Sequence, residues 1–205
     1  MNTLATKSEL TFAAIVDEAL EMAFTDGIGK LSLGEVAKRL ELSKSGVFSR
    51  VGSLEALQQE VLDEFDRRFT AEVFQPAMAL PRGLPRLNSM LENWIRRTCN
   101  TKSRSACLYI AGSFEFDDVA SPLRDRLRQG VMRFRAALRR TVMQAIDEGH
   151  LRADTDPEQL VFEIYSFIVG SMHDTRFLHE AKTEERMRNA YARLISTYRS
   201  FHYHA

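Results

Sequence analysis

The chain of 205 residues carries 28 lysines and arginines against 28 aspartates and glutamates, so its formal net charge is zero. This balance excludes a polybasic membrane protein and a nucleic-acid coat protein, and a hydrophobic content of 44% suits one large or two small domains with a real core. Two cysteines, no signal-type N terminus and no long apolar run predict a reduced, cytoplasmic protein without a membrane partner.

Two helices are predicted in the first forty residues. Helix 1 is expected over about residues 8–25, with an inner face of Ala13, Val16, Leu20 and Phe24. Ser32 is a good N-cap for the second helix, and Glu35 three residues later completes a capping box. The apolar face of this helix is formed by Leu33, Val36, Ala37 and Leu40.

A tight turn and a short third helix follow. Residues 41–43 are predicted as the turn, with Leu42 filling the gap between the helices and Ser43 capping helix 3 over about residues 44–51. Val47 and Phe48 are expected to turn inward. The outward groups are small, polar or cationic: Lys44, Ser45, Gly46, Ser49 and Arg50.

This arrangement is that of a DNA-reading helix-turn-helix. A short helix with a small, polar leading edge can enter the major groove, where bases are read by hydrogen bonds. Residues 30–50 carry five basic side chains against two acidic ones, Glu35 and Glu41, so positive charge collects where the groove would lie. The alternative is an ordinary helical hairpin in an all-α domain.

A domain boundary is predicted after the hairpin. Helix 4 is expected over about residues 53–74, and the prolines and glycine at 76, 81, 83 and 85 then interrupt the helical pattern. We therefore expect a DNA-binding domain over residues 1–52 and an effector-binding and dimerisation domain over residues 53–205, with helix 4 as the connector. The fold class is all-α.

Five further helices are predicted, over about residues 85–100, 105–116, 121–148, 157–178 and 183–203. Asp156, Pro157 and Gln159 supply the N-cap, first position and capping partner of the fourth of these. Arginines line the long helix, and a solvated face explains them better than a second nucleic-acid surface does.

The last two helices predict a homodimer. The helix at 157–178 is apolar on more than one side, so one of its faces is expected to bury against a second subunit, and Gly170 would allow close approach. The alternative is that these faces pack together inside a monomer. The predicted interface consists of Ile164, Phe167, Ile168, Ser171, Tyr191, Leu194, Ile195 and Tyr198.

The sequence contains no motif for an enzymatic reaction, a metal site or a cofactor site. The sequence lacks a Gly-rich phosphate loop, a nucleophile elbow and an HExxH helix. Cys99 and Cys107 are expected to be buried, inert thiols, with a redox switch as the alternative. We therefore predict no enzyme, no catalytic residue, no metal and no cofactor.

The N-terminal fifty residues resemble the tetracycline-repressor (TetR) family. The pattern of its first helix is matched by Ile15-Val16-Asp17-Glu18-Ala19, and its aromatic–glycine turn by the stretch from Phe24 to Gly27. The hydroxyl-capped second helix is matched by Ser32 to Val36-Ala37. The motif around its third helix is matched by Gly46, Phe48, Arg50, Val51, Ser53, Leu54, Glu55 and Leu57.

The resemblance implies a DNA-contacting surface and a ligand site in the C-terminal core. The expected DNA-binding residues are Ser32, Ser43, Lys44, Ser45, Gly46, Phe48, Ser49, Arg50 and Ser53. Aromatic and methionine side chains with a few polar tips suit a pocket for an apolar small molecule, although an aromatic stripe can equally be plain core. The candidates are Met90, Trp94, Tyr109, Phe114, Phe134, Met143, Tyr165 and His173.

The sequence thus predicts a transcriptional regulator whose partners are double-stranded DNA, a second copy of itself and an unidentified small-molecule effector. We expect a repressor that the effector releases from a palindromic operator. The alternative is a helical small-molecule-binding or protein-interaction module with a decayed DNA-binding face, because Phe48 and Leu54 replace a tyrosine and a lysine of the family pattern.

Overall fold

The computed structural model describes residues 7–99 and 107–200, and these are helical throughout, joined by short turns. A single antiparallel bridge between Leu151 and Arg199 is the one extended pairing in the described part of the chain. The predicted all-α class is confirmed. The helices are α1 (Lys7–Asp26), α2 (Leu33–Arg39), α3 (Lys44–Val51), α4 (Leu54–Phe69), α5 (Gln75–Met78), α6 (Leu84–Thr98), α7 (Leu108–Glu115), α8 (Pro122–Asp147), α9 (Pro157–Arg176) and α10 (Thr183–Tyr198).

Helix boundaries follow the local capping chemistry of the sequence. The Ser32 hydroxyl accepts a hydrogen bond from the Glu35 N–H, and the Asp156 carboxylate accepts from the two amides that open α9. Each cap satisfies an amide that has no partner within its own helix. The turn between α2 and α3 places Glu41 at a φ of 55°, a left-handed conformation that ends α2 abruptly.

The prediction of a single helix over residues 53–74 was incomplete. A π-helical turn over Thr70–Phe74 follows α4, and α5 continues directly from it. Pro76 therefore does not interrupt the pattern as predicted, because it lies in the first turn of α5, directly after the π-helical turn. The helical path breaks only after Met78.

The described helices form two compact units that do not follow chain order. Among the described residues, the first unit holds residues 7–68 and 107–128, and the second holds residues 69–99 and 129–200. Helix α8 has residues in both units, and α4 belongs to the first unit apart from its last residue, Phe69. The predicted boundary after residue 52, between a DNA-binding domain and an effector-binding and dimerisation domain, stays a prediction.

Each unit has an apolar core. In the first unit Ile15, Leu20, Val36, Leu57 and Phe65 are almost fully buried, whereas Ala13, predicted to face inward, is exposed. Ala13 lies two residues before Ile15, and about 200° of helix rotation carries it to the opposite face. The second unit buries Leu87, Met90, Trp94, Leu138, Val142, Ile164 and Ile168.

Candidate nucleic-acid interface and effector core

Three serines cap three consecutive helices in the first unit. The hydroxyl oxygens of Ser32, Ser43 and Ser53 accept hydrogen bonds from the amides of Glu35, Gly46 and Ala56, at 3.1, 3.0 and 3.0 Å. A capping hydroxyl that accepts from its own helix keeps its proton, which it can donate to a phosphate oxygen. Helix N-termini also favour negative charge. All three positions therefore suit contacts with a phosphate backbone.

Helix α3 presents a polar face outward. Val47 and Val51, one turn apart, form its buried edge, and Lys44, Ser45 and Ser49 are exposed. The inward orientation predicted for Phe48 is wrong, because 54% of this residue is accessible to solvent. The buried edge already occupies the single side of so short a helix that meets its neighbours, and Phe48 lies about 100° around the axis from Val47.

The basic side chains of residues 30–50 differ in whether they are bonded within the protein or face solvent. The Arg39 guanidinium lies 3.3 Å from carboxylate oxygens of both Glu18 and Asp26, so this side chain ties α2 to α1. Arg50 donates to the carbonyl oxygen of Gly46 at 2.8 Å. Lys44, at the start of α3, forms no ion pair within residues 7–99 and 107–200, so its ammonium group faces solvent.

A carboxylate from α7 braces the turn before α2. The Gly29 N–H donates to Glu115 Oε1 at 2.9 Å. A Cβ atom at Gly29 would lie 2.5 Å from that oxygen and 3.0 Å from the ring of Phe116, so any larger residue here would have to displace these two side chains. Sequence reasoning did not find this contact, which joins residues 86 positions apart.

An arginine of α8 binds two aspartates of α4. Arg126 Nη2 lies 2.7 Å from Asp63 Oδ1 and 2.9 Å from Asp66 Oδ2. The Tyr109 hydroxyl donates to Asp66 at 2.7 Å and accepts from Arg126 Nη1 at 2.7 Å. Burial and the hydrogen bond to Asp66 raise the pKa of Tyr109. Burial alone would lower the pKa of Arg126, but its bonds to Asp63 and Asp66 outweigh that effect and raise it.

This cluster corrects two expectations. Tyr109, predicted to line the effector site, belongs to the first unit, where its ring packs 5.4 Å from Phe65. Arg126, predicted on a solvated face of the long helix, has only 16% of its side chain exposed. Neither contact has a local sequence signal, because Asp63 and Asp66 are 63 and 60 residues from Arg126 along the chain, and Asp66 is 43 residues from Tyr109.

Four of the predicted effector residues lie together in the second unit. Met90 and Trp94 are almost fully buried on α6. The ring of Phe134 on α8 lies 6.3 Å from that of Tyr165 on α9 and 5.5 Å from that of Phe69. An aromatic and sulfur-containing core of this kind suits an apolar ligand.

The other four do not join this group. Phe114 is 66% exposed and lies, like Tyr109, in the first unit. Met143 is 40% exposed, and 59% of the His173 side chain is exposed. Each lies on a helix whose inner face is formed by other residues, which a one-dimensional list of aromatics and methionines does not distinguish.

Sequence reasoning also missed two aromatic residues that pack with this group. Phe69 and Phe74 pack on each other and on Phe134. The ring centroid of Phe74 lies 5.6 Å from that of Phe69 and 6.1 Å from that of Phe134. Their five-residue spacing brings them to one face because the intervening turn is π-helical, with hydrogen bonds from residue i to i+5. Arg97 lies over the Phe69 ring at 6.0 Å and pairs with Glu72.

A separate groove lies between α6 and α10, with a volume of about 400 Å³. It has an apolar floor that includes Leu91 and Ile195, and its rim carries the ion pair of Arg188 with Glu92 at 2.8 Å. None of the predicted effector residues lines it. It is therefore a second place where a small molecule could bind.

The predicted dimer residues divide by burial. Ile164, Ile168, Ser171 and Ile195 are buried within one protomer, so they are not available to a partner and this part of the prediction is wrong. Phe167 and Leu194 are half-buried. Tyr191 and Tyr198 donate hydrogen bonds to Asn88 and Glu163 within the protomer, at 2.8 and 2.9 Å.

A different face of α9 is open. Its residues are all exposed and follow one another at intervals of three or four along the helix. We call this face the α9 stripe, and it consists of Phe162, Ser166, Gly170, His173 and Phe177. A helix that is apolar on most sides offers two candidate faces, and here the side with Ile164 and Ile168 packs inside the protomer. A Cβ atom built at Gly170 meets nothing within 4 Å.

The remaining expectations concern thiols, metals and membranes. Cys99 and Cys107 are buried, and burial raises the pKa of the Cys99 thiol, which makes it less reactive. Within the described ranges, no cluster of three His, Cys, Asp or Glu side chains is arranged to hold a metal. None of the described helices is long and apolar enough to cross a membrane.

Comparison with known proteins gives a consistent result. Residues 83–191 match the family described as the tetracyclin repressor-like C-terminal domain. No curated protein sequence matches this chain.

Solved structures with the same fold include three described as TetR transcriptional regulators. One from Cytophaga hutchinsonii is 16% identical, with a TM-score of 0.78 over 96% of this chain and 98% of that chain. One from Chloroflexus aurantiacus is 20% identical, with a TM-score of 0.77 over 93% and 94%. A third, from Streptomyces coelicolor, is 14% identical, with a TM-score of 0.77 over 91% and 94%.

Proposed function

This chain belongs to the tetracycline-repressor-like (TetR) family of DNA-binding transcriptional regulators, and we propose that it acts as a homodimeric repressor which a small molecule releases from a palindromic operator. The observation that carries the proposal is the exposed face of α3, where Lys44, Ser45 and Ser49 point outward between the hydroxyl-capped starts of α2, α3 and α4.

The chemistry of this surface supports a division of labour at DNA. Lys44, Ser45 and Ser49 can reach base edges in the major groove, where donors and acceptors distinguish all four base pairs. Ser32, Ser43 and Ser53 suit phosphate contacts, which fix register and orientation. Phe48, exposed beside them, can meet a thymine methyl group or the sugar–phosphate backbone through its ring.

Salt-dependent binding to duplex DNA tests this surface. Affinity for DNA should fall as salt rises, since phosphate contacts release counterions. Replacing Lys44 by Ala should weaken binding by about 1–3 kcal/mol if a base contact is lost. Lys182→Ala, which removes an exposed lysine of the second unit, is the matched control. Equal affinity of Lys44→Ala and the control at fixed salt would remove α3 from the interface.

We assign the subunit contact to the α9 stripe rather than to the residues buried beside it. Beside the stripe runs a groove of about 210 Å³ between α9 and α10, lined by Gly170, Thr183 and Ala190 among others. Small residues allow a partner helix to approach closely, and Phe162 and Phe177 leave apolar surface uncovered. Two-fold pairing would let one dimer read two half-sites.

Sedimentation tests the dimer. Gly170→Trp should separate the subunits without disturbing the protomer, since the new side chain enters open space. Met78→Trp, which places the same indole on an exposed position of α5, is the control. A wild-type chain that sediments as a 23.4 kDa monomer at micromolar concentration contradicts the assignment.

The proposed release mechanism uses contacts that α4 and α8 make with each other within each unit. In the first unit, Arg126 of α8 binds Asp63 and Asp66 of α4. In the second, Phe134 of α8 packs against Phe69 at the end of α4. An effector that displaces Phe134 would shift α8 along α4, and α4 begins at the cap that follows the DNA-reading helix.

Linkage gives the test of this mechanism. A compound that changes the fluorescence of Trp94 should change operator affinity, and DNA should change the affinity for that compound by the same factor. A compound that binds tightly at Trp94 and leaves operator affinity unaltered contradicts the effector role of this core.

A further inference from the structure

Trp94 is a fully buried tryptophan whose indole N–H has no hydrogen-bond acceptor in the described part of the chain. Buried donors in folded proteins almost always have a partner, either a protein group, an ordered water or a ligand. The indole nitrogen is a donor only and cannot rotate its proton toward a distant acceptor as a hydroxyl can. Its missing partner therefore has a fixed direction.

The position of this indole follows from contacts on either side of it along α6. One turn earlier, the sulfur of Met90 accepts from the Thr141 hydroxyl of α8 at 3.6 Å. One turn later, Arg97 lies over the ring of Phe69, which itself packs 5.5 Å from Phe134 of α8. Trp94 thus lies between these two levels, inside the proposed effector core.

Two polar side chains, Thr141 opposite Met90 and Asn93 next to Trp94 in the chain, form hydrogen bonds with other groups and none with the indole. The Thr141 hydroxyl donates to the Ala137 carbonyl at 3.0 Å as well as to Met90. The Asn93 amide donates to the Val73 carbonyl at 3.1 Å, and its oxygen accepts from Arg96. The indole therefore has no protein acceptor in the described part of the chain, so its partner is an ordered water or an oxygen of a bound molecule.

We propose that the effector of this regulator is a mainly apolar molecule with one neutral carbonyl group, whose oxygen accepts the hydrogen bond of the Trp94 indole. The inference rests on the proposed function, because it names the chemistry of that same effector core. A carbonyl is favoured over a carboxylate because the neighbouring cations are engaged: Arg97 pairs with Glu72, and Arg135 lies 5.5 Å from the centre of the Tyr165 ring. A buried carboxylate would need a cation of its own.

Nuclear magnetic resonance of the full-length protein tests the proposal. Because Trp94 is the only tryptophan, the ¹⁵N-labelled chain has a single indole N–H signal. The probes are cyclohexanone, acetophenone and benzophenone, each paired with the compound in which a methylene group replaces the carbonyl oxygen. At least one ketone should bind about tenfold or more tightly than its partner, since one good hydrogen bond accounts for a factor of this size, and should move the indole proton downfield.

Trp94→Phe provides the matched variant. It keeps an aromatic ring and removes the donor, so it should abolish the preference for the ketone over its methylene partner. The wild-type signal alone also decides the question, so a variant that fails to fold does not block the test. Benzoate, the carboxylate probe, should bind more weakly than acetophenone.

Several outcomes overturn the proposal. They are failure of all three ketones to bind, equal affinity within every pair, an unmoved indole signal on binding, or tighter binding of benzoate. A ketone that perturbs only the amides of Leu91 and Ala192 would be in the α6–α10 groove and also overturns it. Operator binding is measured without any effector, so loss of DNA binding and loss of ketone binding identify different failures.

Discussion

The ion pair of Arg126 with Asp66 should contribute far more to the free energy of unfolding than the ion pair of Arg126 with Asp63. Asp66 has 35% of its side chain exposed and is also bonded to the Tyr109 hydroxyl, whereas Asp63 is 64% exposed. Exposed ion pairs contribute up to about 1 kcal/mol, and breaking a buried pair costs about 3–5 kcal/mol. We expect a coupling energy near 2 kcal/mol for Arg126 with Asp66, and about 0.5 kcal/mol for Arg126 with Asp63.

Two double-mutant cycles measure these couplings. Each combines Arg126→Met with Asp66→Asn or Asp63→Asn, and the free energy of unfolding is obtained from urea titrations. The asparagine at position 66 still accepts from Tyr109, so the cycle isolates the charge. Arg128→Met, two residues further along α8 and exposed, is the control and should change the free energy by less than about 0.5 kcal/mol.

Equal coupling energies in the two cycles would refute the reasoning, because burial would then have no influence on the strength of the pair. Couplings below about 0.5 kcal/mol in both would show that the cluster does not hold α8 to α4. The proposed path from effector to operator would lose its first link.

Four further outcomes are expected. Lys44→Ala should weaken operator binding and reduce its salt dependence if the ammonium contacts phosphate, as filter binding at several salt concentrations would measure. Gly170→Trp should yield monomers in sedimentation while the circular dichroism of the helices is unchanged. Gly29→Ala should lower the free energy of unfolding by about 0.5–1.5 kcal/mol, because the new methyl group displaces the Glu115 carboxylate and its hydrogen bond is lost, and urea titration would measure it. Folding raises the pKa of Tyr109, so the neutral phenol stabilises the folded protein. This stabilisation is complete below the ordinary tyrosine pKa of about 10 and is lost as the pH rises above that value. Tyr109→Phe should therefore flatten the fall in the free energy of unfolding that is measured above pH 10.

The secondary structure was largely predictable because its signals are local. Ser32, Ser43 and Asp156 cap helices within three residues of themselves, so the starts of α2, α3 and α9 follow from the sequence. The π-helical turn after α4 was not predictable in this way, because the residue pattern of a helix does not reveal a single wider turn. The residues that this turn brings together, Phe69 and Phe74, were missed with it.

The choice of helix face was less predictable, because it depends on residues far away in the chain. Both sides of α9 are apolar in the sequence, and only packing decides that Ile164 and Ile168 lie inside while Phe162 is exposed. Tyr109 reads as an aromatic of the effector core until its hydroxyl is found on Asp66, 43 residues away. Short-range periodicity cannot supply contacts of this range.

That four of the predicted effector residues belong to one unit was predictable from their types and positions, and their role in binding an effector stays a prediction. Met90, Trp94, Phe134 and Tyr165 were selected as aromatic or sulfur-containing side chains on C-terminal helices, and they do lie in one unit. What the sequence could not reveal is the unpaired N–H of Trp94. Its detection requires the positions of every neighbouring acceptor.

Selection of bound fragments from random duplex DNA tests the central claim most directly. Our account predicts that the ligand-free protein enriches a two-fold symmetric sequence whose half-sites lie about one or more helical turns apart, as a dimer with two α3 helices requires. It also predicts that Lys44→Ala weakens binding to that sequence. Absence of any enriched sequence, with binding to bulk DNA no stronger than that of Lys44→Ala, would contradict a DNA-reading function for this chain.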